Sequence, residues 1–436
     1  MIRLFLARAF QDRSVWPLPV LACTLTSGIA FMVVGGSRYF FTLEHPLATF
    51  YAVLAGVALI LLTVPMVSLL SSSARLMARR RDERLSSLRL LGATTGQLRL
   101  LAVSEAVLLA AAGVLAGTVL YVALMPLVGL IPFAGAPMGV DGLWIGPGLW
   151  GLSAAALMLL AAGASLLGMR RIEVTPLGVR TMAAPARVHW VRVVVAVLGV
   201  LAAQLLAQLA GVGGMAAVIT MMLAAVAVPL VVVQLVGPWV LKMVTTVQLR
   251  RARTAERLIA ARSVLESPQQ MFKQVGGVSI TTYAGVIAGS GLGLVSLADP
   301  SQADPGQAQL LADIQRGVWL TLAISFLMAA CSVGINQTAQ LLDRRRLYAS
   351  LHMMGMSRGQ LQRIRTLAVM RALGAVVVIA LVAAAVTAFP IVGAAVLVAP
   401  AAVGTSLGVL GLGVLCVFVG AQVTRPALRR VLAPIG

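Results

Sequence analysis

"RRRDERLSSLRLLGATTGQL", residues 79–98, packs five arginines and two acids into a chain that is otherwise mostly hydrocarbon. A related stretch, "DRRRLYASLHMMGMSRGQLQ", returns at residues 343–362. With Gly92 set against Gly355, Arg81 falls on Arg344, Ser87 on Ser350 and Leu88 on Leu351. Thr94 then falls on Ser357, Gly96 on Gly359, Gln97 on Gln360 and Leu98 on Leu361. Each copy follows one apolar run and leads straight into another, so the chain carries two related halves. Within the first copy, Leu85, Leu88 and Leu91 recur every three residues and can share a face toward protein or the lipid boundary. Arg80, Arg81, Arg84 and Arg89 offer charge to water, lipid headgroups or an acidic partner. Gly92 permits a break in the chain direction, and Thr94 can cap the helix that comes after it. Ordinary basic flanking with arginines reaching to the membrane surface accounts for one copy alone; the repetition at equivalent places argues for a docking function.

The runs around these stretches define the class. Of 436 residues, 60% are hydrophobic and 11% charged, where a soluble domain carries about 25% charge. Apolar runs near 20 residues, long enough to cross a hydrocarbon core of about 30 Å, predict spans near 16–35, 50–70, 100–128, 146–168, 190–210, 214–236, 275–297, 317–337, 366–388 and 403–422. Only "GVGG" separates the fifth and sixth runs. The expectation is an all-α polytopic membrane protein of about ten transmembrane helices.

Charge placement orients these spans. Segments 1–15, 71–99, 169–192, 237–274, 338–365 and 422–436 hold 31 of the 34 Lys and Arg. The opposite loops hold Arg38 and Arg316 beside Glu44, Asp141, Asp299, Asp304 and Asp313. The excess of basic residues on cytoplasmic loops then places both termini and every Arg-rich segment inside. The net charge of +21 is thereby read as topology rather than as a nucleic-acid surface. Arg3, Arg8 and Arg13 precede a first span read as uncleaved. Two lysines against many arginines, with abundant Ala, Val and Gly, suggest a GC-rich bacterial source and hence the bacterial plasma membrane.

The domain expectation is a first four-span unit over 1–182, a linking pair of spans with a cytoplasmic segment over 183–274, and a second four-span unit over 275–436. Both repeated segments face one side, so the repeat is parallel, with its pseudo-twofold axis along the membrane normal. External connections are short, the longest near 298–316. Inside, "RRARTAERLIAARSVLESP" reads as an amphipathic helix ended near Pro268.

Several chemistries lack the residues they need. Cys23, Cys331 and Cys416 fall in predicted spans without a paired spacing, and His45, His189 and His352 are isolated. No catalytic set, metal site or cofactor site is expected. Neither lysine follows a glycine, so no loop of the G-x4-GK[ST] kind wraps a phosphate, and the chain does not hydrolyse ATP by that route. Glu105 is the one acid placed at a span, near its cytoplasmic end; it pairs with Arg99, reaches water, or serves as a functional intramembrane carboxylate. Arg371 sits at a similar edge, where reaching to the surface competes with substrate contact. Gly113-x-x-x-Gly117, Gly285-x-x-x-Gly289 and Gly404-x-x-x-Gly408 suit close helix contact.

"RRRDERLSSLRLLGATTGQL" followed by "LAVSEAVLLAAAGVLAG" resembles the signature of FtsX-like (MacB-type, type VII) ABC transporter permeases, through Arg81, Glu83, Leu88, Arg89, Gly92, Ala93, Glu105, Gly113 and Gly117. "MRRIEVTPLGVR" resembles the family's closing segment through Arg171, Pro176 and Arg180. The second copy departs from the pattern, with Arg346 in the place of Glu83 and Ala368 in that of Glu105. Ten spans with two such units resemble the bacitracin-resistance type, without its large extracellular domain.

The resemblance implies a permease subunit that pairs with two copies of a separate cytoplasmic ABC ATPase, which would bind the ATP and Mg. It implies docking through Arg81, Glu83, Leu88, Arg89, Gly92 and Ala93 in one loop and Arg344, Leu351, Gly355 and Gly359 in the other. The implied activity is mechanotransmission that exports or extracts an amphiphilic substrate (peptide, antibiotic or lipid) met in membrane lipid. Two other readings stay open. One is a non-transporting regulatory or relay subunit. The other is an ion-coupled secondary transporter, for which one edge glutamate is poor equipment.

Overall fold

The computed structural model describes residues 17–90, 94–173, 215–295, 305–343, 350–398 and 400–422. In chain order the helices are α1 (Pro17–Phe41), α2 (Ala48–Leu90), α3 (Thr95–Gly129), α4 (Gly139–Leu143), α5 (Gly146–Glu173), α6 (Met215–Arg250), α7 (Ala255–Glu266), α8 (Pro268–Val295), α9 (Pro305–Asp343), α10 (Arg358–Thr387), α11 (Phe389–Val398) and α12 (Pro400–Gln422). A short antiparallel hairpin, β1 (Pro132–Phe133) with β2 (Ala136–Pro137), lies between α3 and α4.

Among the described residues, seven helical stretches are long and apolar enough to cross a membrane: Pro19–Phe41, Ala48–Ala74, Gly96–Gly129, Gly139–Leu166, Ala227–Arg250, Ala308–Leu341 and Gly359–Thr387. A shorter apolar stretch, Leu410–Gln422, ends α12. The chain is an all-α polytopic membrane protein. The expected run at 190–210 lies outside the described residues.

Several helices outrun their spans. At about 1.5 Å per residue, the 43 residues of α2 reach about 65 Å, twice the hydrocarbon thickness. The basic segment expected as a loop is therefore, as far as Leu90, a helical continuation of the second span. The 39-residue α9 likewise starts at Pro305, so much of the loop expected at 298–316 is helix. Asp313, expected in that loop, is buried on α9.

The chain divides into two compact units. The first comprises the described parts of Met1–Thr42 and Leu69–Ala184; the second comprises those of Leu43–Ser68 and Pro185–Gly436.

In the first unit α1 lies along α3, and α5 packs on α3 so that Leu109, Ala110 and Ala161 share one cluster with Val20 and Cys23. Small residues set the spacing. A Cβ on Gly113 would stand 2.2 Å from the Cys23 Cβ, and one on Gly117 would stand 1.9 Å from the Ser27 Oγ. Both glycines are therefore required for the backbones to approach. Ser27 Oγ donates to the Gly113 carbonyl at 3.1 Å, and the hydroxyls of Thr26 and Ser73 lie 2.8 Å apart. Gly285, by contrast, makes ordinary contacts with Leu322, and Gly404 and Gly408 face open space; of the three expected small-residue motifs, the one on α3 is built into a close helix pair.

The first unit also carries a folded cap between α3 and α5. Its hairpin turns through Ala134 and Gly135, both at positive φ (53° and 84°), as a two-residue hairpin turn requires. Phe133 is buried with its ring 5.0 Å from that of Phe40. The Tyr121 hydroxyl donates to the Leu143 carbonyl and accepts from Ile145 N, and Arg38 donates to the Trp144 carbonyl.

In the second unit α8 runs through the middle, walled by α6, α9, α10, α11 and α12. Its buried positions include Gln274, Ser279, Thr281, Thr282 and Tyr283. Protein rather than lipid surrounds these groups. Ser279 donates to the Gly276 carbonyl at 2.6 Å, Thr281 pairs with Ser325, and Tyr283 with Thr387 at 3.0 Å. Intramembrane polar groups are placed where neighbouring helices supply partners. The apolar core joins Phe272, Val275 and Val278 of α8 to Phe326 and Val333 of α9, Val369 and Val376 of α10, and Val417 of α12.

Candidate coupling surface

The repeated segments lead into α3 and α10, and both helices begin in the same way. Thr94, at φ −71° and ψ 154°, accepts from Gln97 N while the Gln97 side chain accepts from Thr94 N. Ser357, at φ −70° and ψ 153°, does the same with Gln360. A helix start leaves its first amides without intrahelical acceptors, and a hydroxyl residue followed three positions later by glutamine satisfies two of them. The sequence alignment pairs these four residues across the repeat, and the local geometry agrees to within a degree in φ and ψ.

The turn before α10 is also built. Met356 N donates to the Leu351 carbonyl at 3.1 Å and Gly355 N to the His352 carbonyl at 3.0 Å. These two bonds with Gly355 at φ +97° close the preceding helical turn in the glycine-ended manner. The His352 ring joins the Met356 carbonyl at 2.9 Å. Met353 and Met354, each 72% exposed, project from this turn.

The expected docking residues fall in several settings. Arg81, Glu83, Leu88 and Arg89 belong to the helical extension of α2. Gly92, Ala93 and Arg344 lie outside the described residues. Leu351 is half-buried before the glycine turn, and Gly355 and Gly359 are exposed. Glu105 is half-buried on α3. Arg371 is half-buried on α10. Its Nη1 donates to the Arg257 carbonyl at 3.2 Å.

That contact belongs to an arrangement that sequence reasoning missed. The amphipathic helix expected between spans six and seven is α7, capped by Thr254 and ended at Ser267 before Pro268 opens α8. Ala260, Ala261 and Val264 are buried, and the helix packs on α6 and α10. Glu256 pairs with Arg363 of α10 at 3.4 Å. Beside it lies a belt of buried polar groups. Arg365, 6% exposed, donates to the Gln337 carbonyl at 3.1 Å and to the Gln362 side chain at 3.4 Å. Gln362 reaches Gln422, and Gln340 reaches Gln274, each at 3.4 Å. The glutamines recurring at the ends of four apolar runs were the available signal.

A second missed cluster sits at the other end of α9. Asp313 accepts from the Tyr51 hydroxyl at 2.7 Å and pairs with Arg316 at 2.6 Å. The i, i+3 spacing of Asp313 and Arg316 would have revealed the pair had the segment been read as helix.

Among the described residues no group of His, Cys, Asp and Glu is arranged to hold a metal ion. Repeated helices long and apolar enough to cross a membrane define a multi-pass membrane protein. Residues 56–174, from α2 through α5, match the family model described as FtsX-like permease C-terminal. No curated protein and no solved structure matches the chain. The matched domain is that of a membrane permease component of an ABC-type system, typically a non-catalytic subunit working with an ABC ATPase.

Proposed function

We propose that this chain is the permease subunit of an ATP-driven ABC transporter of the MacB type. In this reading it spans a bacterial plasma membrane ten times with both termini in the cytoplasm. Two FtsX-like units, 1–182 and 275–436, flank a linking segment over 183–274. A separate ATPase, present in two copies and carrying ATP and Mg, docks on the segment after the second span of each unit. Arg81, Glu83, Leu88, Arg89, Gly92 and Ala93 serve one copy, and Arg344, Leu351, Gly355 and Gly359 the other. Closure of the ATPase pair moves α2, α3 and α10 as rigid bodies, and an amphiphilic peptide, antibiotic or lipid is exported or extracted from the bilayer.

The observation that carries this reading is the shared capping box at Thr94–Gln97 and Ser357–Gln360. It makes the repeat a repeat of local structure as well as of letters, and the first copy lies inside the matched FtsX-like stretch. Two like seats suit a partner that comes in two copies.

The test is affinity purification of the tagged chain from its native host in mild detergent, with mass spectrometry of what accompanies it. An ATPase at about two per permease, lost when residues 79–99 are replaced, supports the reading. Its absence across several detergents and after crosslinking would sink it.

A further inference from the structure

Helix α7 buries Ala260, Ala261 and Val264 in protein, and the chain leading into it together with its outer side is rich in arginine. Arg250 ends α6, Arg251 and Arg253 lie in the connection to α7, and Arg257 and Arg262 stand on α7; all five are exposed. Of the two acids on α7, Glu256 is engaged by Arg363 and Glu266 closes the far end of the helix. The height of this face relative to the bilayer is set by α10. The first turns of α7 touch α10 at Arg363 and Arg371, positions eight residues or about 12 Å apart along the helix axis. Beyond Arg371 the sequence to Ala388 is unbroken by charge. Those 17 residues reach about 26 Å, close to a hydrocarbon core of about 30 Å. Arg371 therefore marks the hydrocarbon edge, and α7 lies at the level of the headgroups.

We propose that the α6–α7 corner is a binding site for anionic lipid headgroups of the cytoplasmic leaflet, built from Arg250, Arg251, Arg253, Arg257 and Arg262. Basic clusters directly after a span, or on a surface helix, attract acidic lipid, each arginine near the surface adding to the pull. The usual surface helix dips its apolar side into the bilayer; here Ala260, Ala261 and Val264 are held by protein. Lipid therefore acts on α7 mainly through charge, with Leu258 the one large apolar side chain exposed on the helix, and through Glu256–Arg363 and the Arg371 bond that pull reaches α10. The proposal rests on the membrane orientation given above and not on the ATPase reading.

The experiment uses the full chain in detergent with defined lipids added, read by native mass spectrometry. Phosphatidylglycerol is expected to be retained several-fold better than phosphatidylcholine. The variant R253Q/R257Q/R262Q, changed only at exposed side chains, is expected to lose that preference at least threefold. The control R79Q/R80Q/R84Q, which removes the same charge elsewhere, is expected to keep it. No phosphatidylglycerol preference, or an equal loss in both variants, overturns the site. Loss of a co-purifying ATPase by the α7 variant, with lipid retention unchanged, also overturns it and makes the face a protein seat. Labelling of Arg253→Cys by an impermeant maleimide, above the native-cysteine background, separates the two levels. Labelling only in inside-out vesicles keeps the orientation, so that a failure of lipid binding belongs to the proposal alone.

Discussion

Individual residues set the helix spacing and the turns between helices. Gly117 has Ser27 where a side chain would stand, whereas Gly404 faces open space. Gly117→Val should force α1 from α3 at a cost of about 1–3 kcal/mol or more, seen as a lower Tm of the purified chain, while Gly404→Val leaves the Tm unchanged. Equal effects would mean that the close α1–α3 contact is not what the glycine serves. Gly355 stands at φ +97°, in the left-handed region that costs an L side chain roughly 1–2 kcal/mol. The buried Asp313 depends on Tyr51 as well as on Arg316. Hydrogen bonds to charged groups contribute about 1.5–3 kcal/mol, so Tyr51→Phe should lower thermal stability measurably; an unchanged Tm would show that Arg316 alone satisfies the carboxylate.

At the scale of elements, α3 and α10 share one kind of start, and the two starts can be tested alike. Ser357→Ala removes one half of a capping box, which costs about 1 kcal/mol. Amide exchange in the first turn of α10 should then quicken about fivefold, and Thr94→Ala should do the same at α3. An unaltered exchange rate at either start would remove the local basis of the repeat. The caps were legible because a hydroxyl residue and a glutamine three positions on form a local signal. The length of α2 was not legible: "RRRDERLSSLRL" reads as a loop because charge marks the end of a membrane span. Charge does not end a helix, however, and these residues have good intrinsic helix propensity outside lipid. The burial of α8 was equally hidden. Its serines, threonines and Gln274 lower its hydropathy, and only the helices around it explain why such a run is stable in place.

For the whole molecule, the orientation is the testable claim. Gly306→Cys at the start of α9 and Gly359→Cys in the first turn of α10 are both at exposed positions with room for a side chain. An impermeant thiol reagent should label the first from outside intact cells and the second only after the membrane is opened; the reverse pattern would invert the basic-inside assignment. The sequence by itself determined the class of protein, most of the span positions, the repeat and its caps. These depend on apolar run length, charge asymmetry and contacts within four residues, all of which are local in the chain. Tertiary structure decided which glycines are essential, that Asp313 and Arg365 are buried, and that α7 is fastened to α10 through Glu256 and Arg371. Each of those depends on which side chains meet across helices far apart in sequence, and a hydrocarbon-rich helix presents much the same apolar surface in several directions until its neighbours choose one.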